Sequence, residues 1–119
     1  MQCNDMDIRK KIALKSIEQK IVFLNLSDIL YATIDQRKTV IVTPRSQIQL
    51  NESLNTLQNK LPQELFMRVH KSFIVNLYML TEIRPVTKHT YEGLIAYVNE
   101  PVLISPEAYK KIESLFHLR

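Results

Sequence analysis

The sequence holds a single glycine, Gly93, among its 119 residues. No glycine-rich loop can be built from it, which excludes the phosphate cradles of P-loop and dinucleotide-binding proteins. Turns must use Asn, Asp, Pro and Ser instead. Cysteine is equally scarce, with Cys3 alone near the N-terminus. That excludes a disulfide framework and a thiolate metal cluster. No apolar run approaches the roughly 18 to 20 residues of a membrane span. Residues Met1 to Asp7 lack the apolar segment of a secretory signal. A cytoplasmic location is expected from these absences.

The residue patterns of common catalytic sites are also missing. The histidines His70, His89 and His117 are far apart, and there is no His-Glu-x-x-His or Cys-x-x-Cys. No Gly-x-Ser-x-Gly elbow offers a serine nucleophile. His70 and Ser72 are close in sequence, but closeness alone makes no dyad. The twelve acids are scattered singly. The chain is therefore read as a non-enzyme, with no metal, no cofactor and no small-molecule substrate.

What is present suits one domain with a moderate core, since 45% of the residues are hydrophobic. Sixteen Lys+Arg against twelve Asp+Glu give a net charge of +4, a modest surplus. The cations collect at expected turns: Arg37-Lys38, Arg45, Arg68/His70/Lys71, Lys88-His89 and Lys110-Lys111. Basic turn tips can converge on one end of a β architecture, or they can serve solubility alone.

Residues 1–10 read as a polar tail or tether, and 11–119 as the folded domain. Ile12–Ser16 and Lys20–Asn25 look like a hairpin. Ile29–Ile34 is strand-like, and Thr39-Val40-Ile41-Val42-Thr43 is β-branched throughout, the clearest strand signal in the chain. Gln47–Leu50 alternates like a half-exposed strand. Leu54, Leu57 and Leu61 then fall on one helical stripe. Asn51 is the expected N-cap of this helix, with Glu52 in its first turn and Pro62 as its stop, giving a helix over about 52–60. Leu77–Ile83 extends as strand or turn until Arg84-Pro85 breaks it. Thr87–Thr90 is a loop tip, and Tyr91–Val98 returns as a strand. Ser105-Pro106-Glu107 opens a second helix over about 106–116, with Tyr109, Ile112, Leu115 and Phe116 as its apolar side. The expected fold is mainly β: a compact antiparallel sheet or sandwich with two short helices.

One stretch draws the others together, Phe66-Met67-Arg68-Val69-His70-Lys71-Ser72-Phe73-Ile74-Val75-Asn76. Its apolar residues favour two short strands, and Arg68, His70, Lys71 and Ser72 form a compact polar turn. Four donors within five residues suit a phosphate or a base edge. A merely solvated turn would look the same.

The segment Phe66-x-Arg68-x-His70-x-Ser72-x-Ile74-Val75-Asn76, with Leu80 and Ile83 downstream, resembles the signature of the LytTR-type DNA-binding domains of bacterial transcription regulators. Ser27–Tyr31, Arg37–Thr43, the leucine helix before Pro62, and Ile104-Ser105 leading into Tyr109–Ile112 are similar to other parts of that family. The likeness runs from about residue 12 to 115. It implies a β domain that reads double-stranded DNA through loops entering successive major grooves at imperfect direct repeats. Carried over by position, the implied contacts are Arg37, Lys38 and Thr39; then Arg68, His70, Lys71 and Ser72; then Ser105, with Lys110 and Lys111 behind it. Lys71 would reach a guanine edge or a phosphate, and His70 and Ser72 would be phosphate donors. Arg68 would be partly structural, bonding turn carbonyls or a phosphate, and Asn76 would hold the backbone of the next turn.

Two departures stand out. Where the family presents an arginine after the Ser, this chain has Glu107 behind Pro106, and a carboxylate cannot make the bidentate guanine contact. Many family members also carry a receiver domain, for which 119 residues leave no room. The chain is expected to be a stand-alone regulator or a piece of a longer one. Its implied partners beyond DNA are a second copy on an adjacent repeat, and a receiver domain or separate regulatory protein outside this chain. The rival expectation is a β-rich protein-interaction module whose basic turns only solvate it.

Overall fold

Residues 10–117 are described by a computed structural model. Apart from Lys10, the expected tail at 1–10 lies outside the described residues, and so does Cys3. Strands β1 (Lys11–Lys15) and β2 (Ile21–Asn25) form the expected hairpin, with Ala13 opposite Phe23. A 3-10 turn, Leu26–Asp28, leads into β3 (Tyr31–Asp35), β4 (Lys38–Val42) and β5 (Gln47–Leu50). Helix α1 (Leu54–Lys60) precedes β6 (Phe66–His70) and β7 (Phe73–Asn76). After a 3-10 turn at Leu77–Met79 come β8 (Leu80–Pro85), β9 (Tyr91–Ile95), β10 (Val102–Ile104) and helix α2 (Pro106–Leu115).

The centre is a five-stranded antiparallel sheet in the order β5-β4-β3-β7-β6. Side chains alternate across a strand, so this sheet can bury both faces. Ala32, Ile41, Leu50 and Ile74 face one side, where they meet Leu54 and Leu57 of α1, Leu61 just beyond it, and Leu14 of β1. Tyr31, Val40, Val42, Val69 and Val75 face the other, joined by Leu30 just before β3, against Ile95, Val102 and Ile104 of the β8–β10 sheet and Ala108 and Ile112 of α2. The β-branched residues 39–42 are thus buried on both faces, which is why the run lacks polar alternation. Asn76 is 2% exposed at the end of β7. Its Nδ2 donates to the Ile29 carbonyl at 3.0 Å and its Oδ1 accepts from the Tyr78 amide at 3.0 Å, so it staples the strand to the following turn as expected.

Several boundaries differ from the sequence reading. Helix α1 starts at Leu54, not 52, because Ser53 caps it: the Thr56 amide donates to Ser53 Oγ at 3.1 Å. Asn51 is therefore not the cap, and Glu52 instead pairs with Lys60 across the helix at 2.7 Å. Arg84-Pro85 does not break β8. The strand lies at the edge of its sheet, where the missing proline donor costs no ladder bond, and Pro85 stands opposite Tyr91. Strand β9 stops at Ile95 rather than Val98, since Tyr97 turns the chain at φ 69°. Ser105 caps α2 as expected, accepting from the Ala108 amide at 3.1 Å. Tyr109 stacks on Tyr91 with ring centroids 4.0 Å apart, but Leu115 and Phe116 are each 55% exposed, because the last turn runs past the core. Gly93 allows a close approach: a Cβ there would lie 2.7 Å from Ile104 Cδ1 and 2.8 Å from Leu80 Cδ1.

Candidate nucleic-acid interface

Two hairpin turns leave the same end of the central sheet. Strand β3 pairs with β7 through Thr33 and Phe73, and both the β3–β4 turn and the β6–β7 turn extend beyond that pair. Two strand spacings separate the middles of these hairpins, or about 10 Å. The other end carries the β4–β5 turn with Arg45, and Asn76. Arg45 is therefore remote from the cations at 37, 38 and 71.

The β3–β4 turn consists of Gln36 and Arg37, with φ of 51° and 69°. Two central residues at positive φ fit the I′ type, which matches the twist of a two-residue hairpin but favours Asn and Gly. Here two long side chains occupy it at a steric cost. Arg37 and Lys38 are both exposed. Thr39 is a correction to the implied contacts. It is 4% exposed, paired with Leu50, and shares the inward face of Ile41. Strand alternation removes it from the surface that Lys38 presents.

The β6–β7 turn is built differently. Neither Lys71 nor Ser72 has positive φ, and the register shifts between Arg68 and His70. This bulge leaves Val69 unpaired and places His70 opposite Phe73, their rings 5.9 Å apart. Arg68 points to the opposite face, toward α1. The Ser72 amide donates to His70 Nδ1 at 3.1 Å, so the neutral imidazole carries its proton on Nε2. Partial burial, then Lys71, then Arg68 push the His70 pKa below its usual value. Lys71 is exposed, and Ser72 is half-buried.

Arg68 uses four of its five guanidinium N–H groups within the protein. Nε donates to the His70 carbonyl at 2.9 Å, and Nη2 donates to the Lys71 carbonyl. Nη1 donates to Asn55 Oδ1 and Gln58 Oε1, each at 2.8 Å. Partial burial lowers its pKa from an intrinsically high value, so it remains a cation. Of the two roles expected for Arg68, bonding turn carbonyls is the one its geometry performs. Asn55 and Gln58 were not singled out in the sequence, since exposed amides on a helix carry no pattern.

Ser105 joins this neighbourhood through its backbone: its amide donates to the Val69 carbonyl at 2.8 Å, two residues from Lys71. Its hydroxyl oxygen caps α2 and keeps a proton to donate. Glu107 is exposed in the first turn of that helix, and Lys110 and Lys111 are exposed farther along it. Strand β9 begins opposite the end of β10, so the preceding loop with Lys88 and His89 leaves the small sheet beside Ser105. Among the described residues, no group of three or more His, Cys, Asp or Glu side chains could hold a metal ion. None of the described helices is long and apolar enough to cross a membrane.

A sheet buried on both faces, with cationic turns at one end, has the form of a nucleic-acid-binding domain. The family model for the LytTr DNA-binding domain matches residues 19–117. The chain belongs to this family of DNA-binding domains, which transcription regulators carry. It is 38% identical over 108 residues to the sensory transduction protein LytT of Bacillus anthracis, an alignment covering 91% of this chain and 43% of that protein. It is 30% identical over 101 residues to the transcriptional regulatory protein YpdB of Escherichia coli K12, covering 85% and 41%. The chain thus spans less than half the length of either relative. Its fold is similar to the LytTr DNA-binding domain of a response regulator from Bacillus cereus, with a TM-score of 0.75 at 24% identity over 90% of this chain and 96% of that one.

Proposed function

We propose that this domain gives a bacterial transcription regulator its sequence-specific grip on double-stranded DNA, entering the major groove with turns instead of a recognition helix. The observation that carries this reading is the pair of cationic hairpin turns about 10 Å apart at one end of a doubly buried sheet. The four strands that carry the turns span about 14 Å between their outer backbones, more than the roughly 12 Å width of a major groove, so one turn enters the groove while its neighbour meets the flanking backbone. Lys71, at the tip of the bulged turn, reaches a guanine edge or a phosphate. His70 Nε2–H and the Ser72 and Ser105 hydroxyls donate to phosphates. Arg37 and Lys38 add cationic contacts from the neighbouring turn, and Lys110 and Lys111 contribute charge along α2. Glu107 accepts from a cytosine amino group or only caps its helix, so the preferred sequence differs there from that of an arginine-bearing relative. Two copies occupy adjacent direct repeats, and the regulating signal enters through a receiver domain or a separate protein.

Selection of bound duplexes from random DNA tests this. A recovered consensus containing a repeat, bound with a strong salt dependence, is the expected result. No retention even at low salt would favour the rival protein-interaction module.

A further inference from the structure

Lys71 is the exposed residue of the bulged turn, yet the peptide groups on both sides of it are hydrogen-bonded. A residue's φ and ψ are set by the orientations of the peptide planes on either side. The plane before Lys71 carries the His70 carbonyl, which accepts from Arg68 Nε at 2.9 Å. The plane after it carries the Lys71 carbonyl, which accepts from Arg68 Nη2. The amide of that same second plane, Ser72 N–H, donates to His70 Nδ1 at 3.1 Å. Both peptide groups flanking Lys71 are thus pinned, and one guanidinium pins their two oxygens.

That guanidinium is held in turn from outside the hairpin. Asn55 and Gln58 are three apart on α1 and lie on one helical face. Their side-chain oxygens both accept from Arg68 Nη1 at 2.8 Å. The helix is anchored by Leu54 and Leu57, exposed to 3% and 0%, and by its Ser53 cap. A planar fork of fixed geometry can bridge four acceptors, as a lysine ammonium cannot.

We propose that Asn55 and Gln58, acting through Arg68, form a positioning clamp that presets the aim of Lys71 and so the sequence discrimination of the domain. Helix α1 never touches DNA in this scheme. It lends its rigidity to the turn, so that Lys71 meets a base edge without the turn being ordered at the moment of binding. Arg68 is a positioning residue and not a phosphate ligand.

The inference rests on the DNA-reading function proposed above, and its test separates the two. Affinity of the wild-type domain and its variants is measured on a selected duplex and on a shuffled one, across a series of salt concentrations. Asn55→Ala/Gln58→Ala and Arg68→Ala are expected to lose about tenfold of the preference for the selected duplex, roughly what one base contact contributes. Their salt slopes on the shuffled duplex are expected to stay unchanged, because no phosphate contact is lost. Asn55→Asp/Gln58→Glu keeps both acceptors and retains the preference, whereas Arg68→Lys does not restore it. The helix double variant carries the test if Arg68→Ala fails to fold. Full discrimination in that double variant overturns the clamp, and so does a salt slope lowered by about one charge in Arg68→Ala. A wild-type domain with no preference for either duplex would instead overturn the function on which the clamp rests.

Discussion

The backbone amide of Ser72 donates to Nδ1 of His70 at 3.1 Å, across a two-residue turn. This bond exists only while Nδ1 is unprotonated. Burial first, then Lys71 and Arg68, hold the His70 pKa below its usual 6.5. The unfolded chain therefore takes up a proton at a higher pH than the folded domain does. The stability contributed is present in full above about pH 6.5 and falls as the pH drops toward the folded value. Denaturant melts of the free domain from pH 8 to pH 5 should show this loss, and His70→Ala should show less of it. An equal pH slope in the variant would assign the effect to other groups.

Lys71→Ala should weaken binding to the selected duplex by roughly 1 to 3 kcal/mol if the side chain reads a base. Fluorescence anisotropy on selected and shuffled duplexes measures this. Unchanged affinity and unchanged preference would remove Lys71 from the reading surface.

Arg37 holds a left-handed conformation at φ 69°, which costs a branched-chain-free but Cβ-bearing residue about 1 kcal/mol. Arg37→Gly should relieve that strain and raise the melting temperature. The same change should weaken DNA binding and lower the salt slope by about one charge. Opposite signs for stability and affinity are the expected pattern at a strained functional turn.

Thr39→Val is expected to leave DNA affinity unaltered, since the side chain is buried between strands and shares the face of Ile41. A clear loss of affinity in this variant would show that the β3–β4 hairpin opens on DNA.

Asn76→Ala removes two hydrogen bonds from a buried site and leaves the Ile29 carbonyl and the Tyr78 amide without their partner. The expected cost is about 2 to 4 kcal/mol of stability, read from urea melts, with an unchanged salt slope for the fraction that folds.

The strands were legible because their residues state their burial. Thr39 to Thr43 is β-branched throughout, and Gln47 to Leu50 alternates. Helix α2 announced itself with Ser105 and Pro106. What could not be read is whatever depends on one local hydrogen bond or one extra residue. Ser53 displaced Asn51 as a cap by reaching the Thr56 amide. The bulge at Val69 turned His70 away from the face of Arg68, and no sequence pattern marks a bulge made without glycine. Thr39 belongs to the strand that its β-branched run predicts, and only its family-implied contact fails, because strand alternation turns it inward. The central stretch is legible as a compact polar turn between two strands, but Arg68 as its internal brace requires Asn55 and Gln58, thirteen and ten residues upstream.

The most direct test of the account is the affinity of the domain for a duplex selected from random DNA against a shuffled duplex of equal length, measured at several salt concentrations. The predicted result is a preference of at least about a thousandfold for the selected duplex, with both affinities falling steeply as salt rises. Equal affinity for the two duplexes, or no binding to either at low salt, would contradict it.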